Sequence, residues 1–249
     1  MTAADQSQRP RHELSLSVFF PCHNEAGNIE PLARRTMALL DGLVADWEIV
    51  IVDDGSTDGT GAIADALAGE DRRVRAVHHE RNRGYGAALR SGLATATKPY
   101  VFYTDGDGQF DVSELPKLLE HIGSADIVSG YRCPRRDRLL RRISGACWSW
   151  LTQRLLRFRC RDVDSAFKLY RREIFDRITL RSTGALIDAE ILARATRLGY
   201  RIRTVPVRHL ARTAGHASGA RFRVILRALK ELLALRRDIL SAPAGEEPA

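Results

Sequence analysis

The feature that most constrains the fold is an alternation in which short apolar, β-rich runs are separated by stretches whose apolar residues recur at helical spacing. Leu14 to Phe20 and Trp47 to Val52 are runs of the first kind, and each ends in polar residues. Between them Ile29, Leu32, Ala33, Thr36, Leu39, Leu40 and Leu43 recur with the period of a helix, so the opening unit reads β-α-β. The pattern predicts a helix over Thr60 to Leu67, a strand at Val74 to His78, a helix over Tyr85 to Ala94 and a strand at Tyr100 to Thr104. A helix over Val112 to Ile122 and a strand at Asp126 to Ser129 follow. The expected fold class is α/β, a mostly parallel central sheet flanked by helices, with function at the carboxyl ends of the strands.

Beyond Gly130 the regularity changes. An arginine-rich loop carries Arg132, Arg135, Arg136, Arg138, Arg141 and Arg142 against the single acid Asp137, a candidate anion-facing segment or a solvated charge run. An amphipathic stretch from Ile143 to Phe158 contains Trp148, Trp150, Leu151 and Leu155. Val163 to Tyr170 reads as a strand, Ile187 to Leu198 as a helix, Tyr200 to Val207 as a strand and Phe222 to Leu240 as a basic helix. No linker separates these parts. The expected organisation is a disordered arm at 1–13, one domain at 14–240 divided near residue 130, and a loose tail at 241–249.

A chain of 249 residues with 44% hydrophobic content can bury a core without staples. Cys22, Cys133, Cys147 and Cys160 form no Cys-x-x-Cys pair, which argues against a disulfide framework or a zinc ribbon and fits a reducing cytoplasm. No run reaches the roughly 20 apolar residues needed to cross a bilayer. The formal charge of +8 calls for anionic partners: nucleic acid, acidic lipid or a phosphorylated small molecule.

Four strand ends carry the chemistry. After the first comes Pro21-Cys22-His23-Asn24-Glu25, and after the second Asp53-Asp54-Gly55-Ser56-Thr57-Asp58. The third is followed by Asn82-Arg83-Gly84-Tyr85-Gly86-Ala87-Ala88, and the fourth by Asp105-Gly106-Asp107-Gly108-Gln109. Asp105 and Asp107, one residue apart, can place oxygen ligands around one Mg²⁺ or Mn²⁺, although Asp-Gly-Asp-Gly is also ordinary turn chemistry. Asp53 and Asp54 can accept from a nucleobase ring N–H or a ribose hydroxyl, or simply cap and solvate their turn; Asp58 suits the cap of the next helix. Gly84-x-Gly86 lacks the third glycine of a dinucleotide fingerprint. Its glycines allow a close backbone approach to a ligand or a tight turn.

In this order the signatures resemble glycosyltransferase family 2, in particular the polyprenyl-phosphate hexosyltransferases related to dolichol-phosphate mannose synthase, over about Ser15 to Leu240. Three later segments add to the resemblance: Gly130-Tyr131-Arg132, Asp164-Ser165-Ala166-Phe167-Lys168 and Arg212-Thr213-Ala214-Gly215-His216-Ala217-Ser218. The resemblance implies the two-layered nucleotide-diphospho-sugar transferase fold, called GT-A. It implies that Pro21, His23 and Glu25 border the nucleotide, that Asp54 meets base or ribose, and that Asp105, Asp107 and Gln109 surround metal and diphosphate. His23 stands where the family commonly has an aromatic residue. Arg132 and Arg212 would hold donor or acceptor phosphates, and with Asp105 and Asp107 they form the implied catalytic set. Asp53, Gly84, Gly106, Lys168 and Ser218 complete the implied substrate contacts.

The expected reaction is in-line attack on the sugar anomeric carbon with inversion, from a donor such as UDP-glucose or GDP-mannose to a polyprenyl phosphate. A lipid phosphate, with a second pKa of about 6, attacks without a strong protein base. A hydroxyl acceptor would need one, and Asp188 and Glu190, near a predicted helix start, are candidates; helix-dipole placement explains the same two acids. The helix from Ala220 to Leu240 and the Trp148 and Trp150 stretch suit an anionic, cytoplasmic-face membrane surface or core packing. A nucleic-acid module leaves the strand-end acids unexplained, so nucleic acid is not expected as a partner.

Overall fold

Val18, Phe19 and Phe20 are consecutive and all fully buried, so the strand that holds them has no solvent face. This is the pattern of a strand covered on both sides. The computed structural model, describing residues 12–133, 139–210 and 222–241, puts that strand inside a seven-stranded sheet. The elements run β1 (His12–Cys22), α1 (Ile29–Leu43), β2 (Val44–Asp53), α2 (Thr60–Glu70), β3 (Val74–His78), α3 (Tyr85–Thr95) and β4 (Tyr100–Thr104). They continue through a 3₁₀ turn at Val112–Glu114, α4 (Leu115–Leu119), β5 (Ile127–Arg132), α5 (Leu139–Leu156), β6 (Phe167–Arg171), α6 (Glu173–Arg177), α7 (Ile187–Arg197), β7 (Ile202–Val207) and α8 (Phe222–Ser241).

The strand order is β3-β2-β1-β4-β6-β5-β7. β1 lies parallel to β2 and β4, β2 parallel to β3, and β5 parallel to β7. β6 runs antiparallel to both β4 and β5, with Phe167 opposite Thr104. That reversal has a consequence for the site. The start of β6 arrives at the carboxyl end of β4, so Asp164 to Lys168 reaches the strand-end acids from the opposite direction.

Several boundaries differ from the sequence reading. The helix expected over Val112 to Ile122 is a 3₁₀ turn running into a five-residue helix, with Pro116 in the first turn, where its missing N–H is tolerated. The strand expected from Val163 begins only at Phe167. Arg141 and Arg142, read as part of a loop, lie on α5, which starts at Leu139. Residues 134–138, holding Arg135, Arg136 and Arg138, lie outside the described residues. β1 begins at His12, which pairs with Val44 inside the stretch expected to be an arm, and α8 extends to Ser241.

The apolar stripe of α8 goes into the core through Leu232, Leu235 and Ile239, while Leu233 is exposed. Full burial of each such side chain stabilises by about 1.5–3 kcal/mol, so core packing accounts for this half of the stripe. On α5, Trp148, Leu151 and Leu155 pack against the core and Trp150 stands out at 66% exposure.

Candidate functional site

The carboxyl ends of β1, β2 and β4 are tied by main-chain bonds. Gly106 N–H donates to Pro21 O at 3.2 Å and Asp54 N–H donates to Cys22 O at 2.8 Å. Gly106 has to be glycine because a Cβ there would run into Cys22 Sγ. Burial pushes the Cys22 thiol well up, and the charges of Glu25, Asp105, Asp53 and Asp107 push it further. Four acids expected at the site from the sequence therefore converge on one strand end.

Asp105 is the most unusual of them. Its Oδ1 is buried and has no hydrogen-bond partner. Burial, then the charges of Asp107 and Asp188, raise its carboxyl to about 8, while a hydrogen bond with Tyr85 and the charge of Lys168 draw it down. An unsatisfied buried oxygen beside a second carboxylate fits Mg²⁺ or Mn²⁺, hard cations that take oxygen ligands and relieve this repulsion. Among the described residues there is no cluster of three or more His, Cys, Asp or Glu that could hold a metal ion, so Asp105 and Asp107 would hold a cation as a pair.

Asp107 Oδ1 accepts from Gln109 N–H at 3.0 Å, which holds the Asp-Gly-Asp-Gly-Gln turn closed. Gln109 O in turn accepts from Leu210 N–H at 2.7 Å, and Phe110 bridges to His209. The chain entering residues 211–221 is thus anchored beside the acids. Arg212 and Ser218 themselves lie outside the described residues.

The acids after β2 are turned largely onto the end of β3 and the loop that follows it. Asp53 Oδ1 accepts from Ser56 N–H at 3.0 Å and its Oδ2 is 3.3 Å from His78 Nδ1. Asp54 Oδ1 accepts from Arg83 N–H at 2.8 Å and lies 2.6 Å from His79 Nδ1, while Oδ2 accepts from Gly84 N–H at 2.9 Å. Asp54 Oδ2 keeps acceptor capacity for a further donor. Asp58 Oδ1 accepts from Thr60 N–H, but it stands one residue before the N-cap of α2, which is Gly59 and has no side-chain cap, so the expected capping role goes to no side chain.

Glu25 is buried and accepts from Asn28 Nδ2 at 2.6 Å, and its own N–H donates to Thr60 Oγ1. Its carboxylate therefore fixes the entry to α1. His23 is exposed, its Nδ1 3.0 Å from Asp54 O. Gly84 has φ +92°, and a Cβ on Gly86 would lie 2.6 Å from Thr183 C. The glycine pair thus admits the 182–183 backbone, with Gly86 N–H donating to Thr183 O at 3.0 Å.

Lys168, expected to touch substrate, is fully buried. Its Nζ donates to Asp188 Oδ1 at 2.7 Å, to Tyr103 Oη at 3.2 Å and to Ser165 O. The Tyr103 hydroxyl also donates to Asp188, and the Tyr85 hydroxyl lies within reach of both Tyr103 and Asp105. A continuous polar chain runs from Lys168 through Asp188, Tyr103 and Tyr85 to Asp105. Tyr85 and Tyr103 were not singled out in the sequence because apolar packing is the ordinary use of a tyrosine at a helix start or mid-strand. Asp188 is occupied by this chain. Glu190 accepts from Arg181 N–H, Ser182 N–H and Arg194 Nε, so it anchors a loop and an ion pair rather than standing free as a base.

Arg132 faces Asp162 in a two-point ion pair, Nε at 2.8 Å and Nη2 at 2.7 Å, so its guanidinium is held rather than bare. Asp164 is the other acid here that was not assigned a role. The residue is exposed, yet crowding by protein and then the charge of Asp188 raise its carboxyl to about 6, with Lys168 and Arg132 pulling the other way.

Residues 17–179 match the family described as Glycosyl transferase family 2. A dodecaprenyl-phosphate galacturonate synthase of Rhizobium johnstonii is 32% identical over 235 residues, covering 91% of this chain and 69% of that protein. Glycosyltransferase AglD of Haloferax volcanii is 35% identical over 204 residues, covering 78% of this chain and 33% of that protein. An undecaprenyl-phosphate 4-deoxy-4-formamido-L-arabinose transferase of Salmonella paratyphi A is 31% identical, covering 84% and 64%. The chain thus spans a third of AglD and just under two thirds of the arabinose transferase. Among solved structures, glucosyl-3-phosphoglycerate synthase from Mycobacterium tuberculosis in complex with UDP aligns with TM-score 0.68 at 21% identity, covering 92% of this chain and 81% of that one. The same enzyme with Mn²⁺ and UDP-glucose aligns at 0.64 and 23%, with 92% and 77% covered. These share the fold, of GT-A type. The family match begins inside β1, passes through every strand end described above and continues beyond α6: the chain belongs to glycosyl transferase family 2.

Proposed function

We propose that the protein transfers a hexose from a nucleoside-diphosphate sugar to a polyprenyl phosphate, with inversion, using Mg²⁺ or Mn²⁺ at Asp105 and Asp107. The observation that carries this reading is the buried, unpartnered Oδ1 of Asp105 beside a second carboxylate at a strand end. A divalent cation bound there supplies positive charge to the departing diphosphate.

The chain's own residues do the positioning. Asp105 and Asp107 hold the cation, with Gln109 closing their turn. Pro21, His23 and Glu25 shape the nucleotide border, and Asp54 Oδ2 offers its remaining acceptor direction to base or ribose. Asp53 fixes the turn that presents Asp54, while Gly84 and Gly106 let neighbouring backbone approach closely. Lys168 acts through Asp188 and the two tyrosines on Asp105. Arg132, steadied by Asp162, and Arg212 supply phosphate contacts, with Ser218 a further substrate contact.

Two relatives whose names specify dodecaprenyl and undecaprenyl phosphate support the lipid phosphate. So does the engagement of Asp188 and Glu190, because an acceptor ionised near neutral pH needs no base from α7. UDP-glucose and GDP-mannose are the donors proposed, the first supported by the structural neighbour that holds UDP-glucose with Mn²⁺. No helix among the described residues is long and apolar enough to cross a membrane, and peripheral action at the cytoplasmic face is proposed.

A hydroxyl acceptor is the second reading, favoured by Asp164, whose carboxyl near 6 suits a general base. Radiolabelled sugar nucleotides, offered with metal to polyprenyl phosphate and to soluble glycans, test both. Label in the lipid phase is the result expected, and label only on soluble hydroxyl acceptors overturns the acceptor assignment.

A further inference from the structure

A groove of about 1160 Å³ lies between α5, the loop entering β6 and the starts of β7, and none of Asp53, Asp54, Asp105 or Asp107 lines it. Its walls carry Arg154, Arg157, Arg159 and Arg161, with Trp150 at the rim. One acid, Asp162, shares the lining, and it is taken by the two-point pair with Arg132. Among the described residues no acid pairs with Arg154, Arg157 or Arg159, although the chain has 31 Asp and Glu to distribute. Four guanidinium groups converging on one concavity repel each other, and a bound anion relieves that.

The backbone adds an independent sign. Arg157 follows the last turn of α5 with φ +60°, the left-handed conformation that helix ends normally give to glycine or asparagine. Its N–H donates to Gln153 O, and Gln153 Oε1 accepts from Cys160 N–H, so the turn is locked and the arginine is held in it. A long cationic side chain kept where glycine would be unstrained points to work done by that side chain. Arg161 is preset as well, stacked 4.0 Å over the Tyr131 ring.

We infer that this groove is a second anion site, outside the donor cleft, that takes phosphate-bearing ligands. Planar guanidinium forks suit phosphate oxygens, and several on one wall suit a ligand with more than one anionic oxygen. The phosphate can come from an anionic lipid headgroup, with Trp150 seated in the bilayer interface, or from a soluble phosphorylated molecule. The inference stands apart from the transfer reaction, since it uses none of the strand-end acids.

The test uses the full chain in metal-free buffer, so that the donor cleft contributes no cation-dependent binding. Vesicles of phosphatidylcholine with and without phosphatidylglycerol form one arm, and calorimetric titration of inorganic pyrophosphate forms the other. R154E/R157E/R159E is compared with the original protein, with thermal unfolding as a check on the fold. Should that variant unfold, the neutral R154Q/R159Q takes its place. The lipid source predicts loss of at least about 100-fold in affinity for the anionic vesicles, roughly fivefold for each of the three positive charges removed and more from the three negative charges added. The soluble source predicts a comparable loss for pyrophosphate with vesicle binding unchanged. Unchanged affinity in both arms overturns the inference.

Discussion

Lys168 Nζ and Asp188 Oδ1 lie 2.7 Å apart with both residues buried, and the pair joins β6 to α7 directly behind the strand-end acids. Removing one partner leaves a charge in the interior without compensation. Lys168→Met and Asp188→Leu should each destabilise by about 3–5 kcal/mol, and the double variant should recover much of that loss. Urea unfolding of the three variants checks this. Single variants within about 0.5 kcal/mol of the parent would show that the pair does not hold the two elements together.

Asp105 is strained by its neighbours, so neutralising it has opposite effects with and without a cation. Without metal, Asp105→Asn should be as stable as the parent or more so, because the cost of burying the carboxylate is removed first of all, and with it the repulsion from Asp107 and Asp188. With Mn²⁺ at about 100 times its dissociation constant the parent should gain about 2.7 kcal/mol, and the variant little. Thermal unfolding with and without Mn²⁺ reads both, and an equal cation-induced shift in parent and variant would remove Asp105 from the metal site.

Asp164 separates the two acceptor readings. A general base with its carboxyl near 6 is active when ionised, so transfer would rise with pH through that value. A lipid phosphate ionises in the same range, at about 6, and gives the same limb without the enzyme. With polyprenyl phosphate, Asp164→Asn should therefore keep the acid limb and its midpoint. Disappearance of the limb in a rate-against-pH series would transfer the proton to Asp164.

Glu48 gives the fold an acid-sensitive contact at the opposite end of the sheet. Burial alone would raise its carboxyl, but bonds from Ser17 Oγ at 2.5 Å, Thr97 N–H at 2.6 Å and Thr97 Oγ1 at 3.0 Å, with Arg75, hold it below the usual glutamate range. A group lowered in the folded state stabilises above its unfolded pKa and loses that contribution as pH falls through the folded one. Glu48→Gln should cost about 1–3 kcal/mol at neutral pH, with a smaller gap in acid. Urea midpoints across that range measure it, and a gap that does not change with pH would mean the charge contributes nothing.

The alternation of runs and the polar strand ends made the parallel half of the sheet legible, because period and length are local properties of the chain. The reversal of β6 was not, since nothing within Phe167 to Arg171 encodes the direction of its neighbours. Among site residues, the convergence of Glu25, Asp53, Asp105 and Asp107 followed from position after successive strands. The fate of Lys168 did not, because a lysine in a polar signature reads as exposed, and only the fold brings Asp188 to it from 20 residues away. The same holds for Glu190, whose loop and Arg194 partners are set by the packing of α7.

In the proposed reaction Asp105 and Asp107 grip a nucleoside diphosphate through a divalent cation. Calorimetric titration of UDP and GDP into the parent and Asp107→Asn, with Mn²⁺ and again with EDTA, tests it most directly. Binding by the parent only with the cation is expected, and at least a tenfold loss, about 1.4 kcal/mol, in the variant. Equal affinity for either nucleotide with EDTA present, or in the variant, would contradict it.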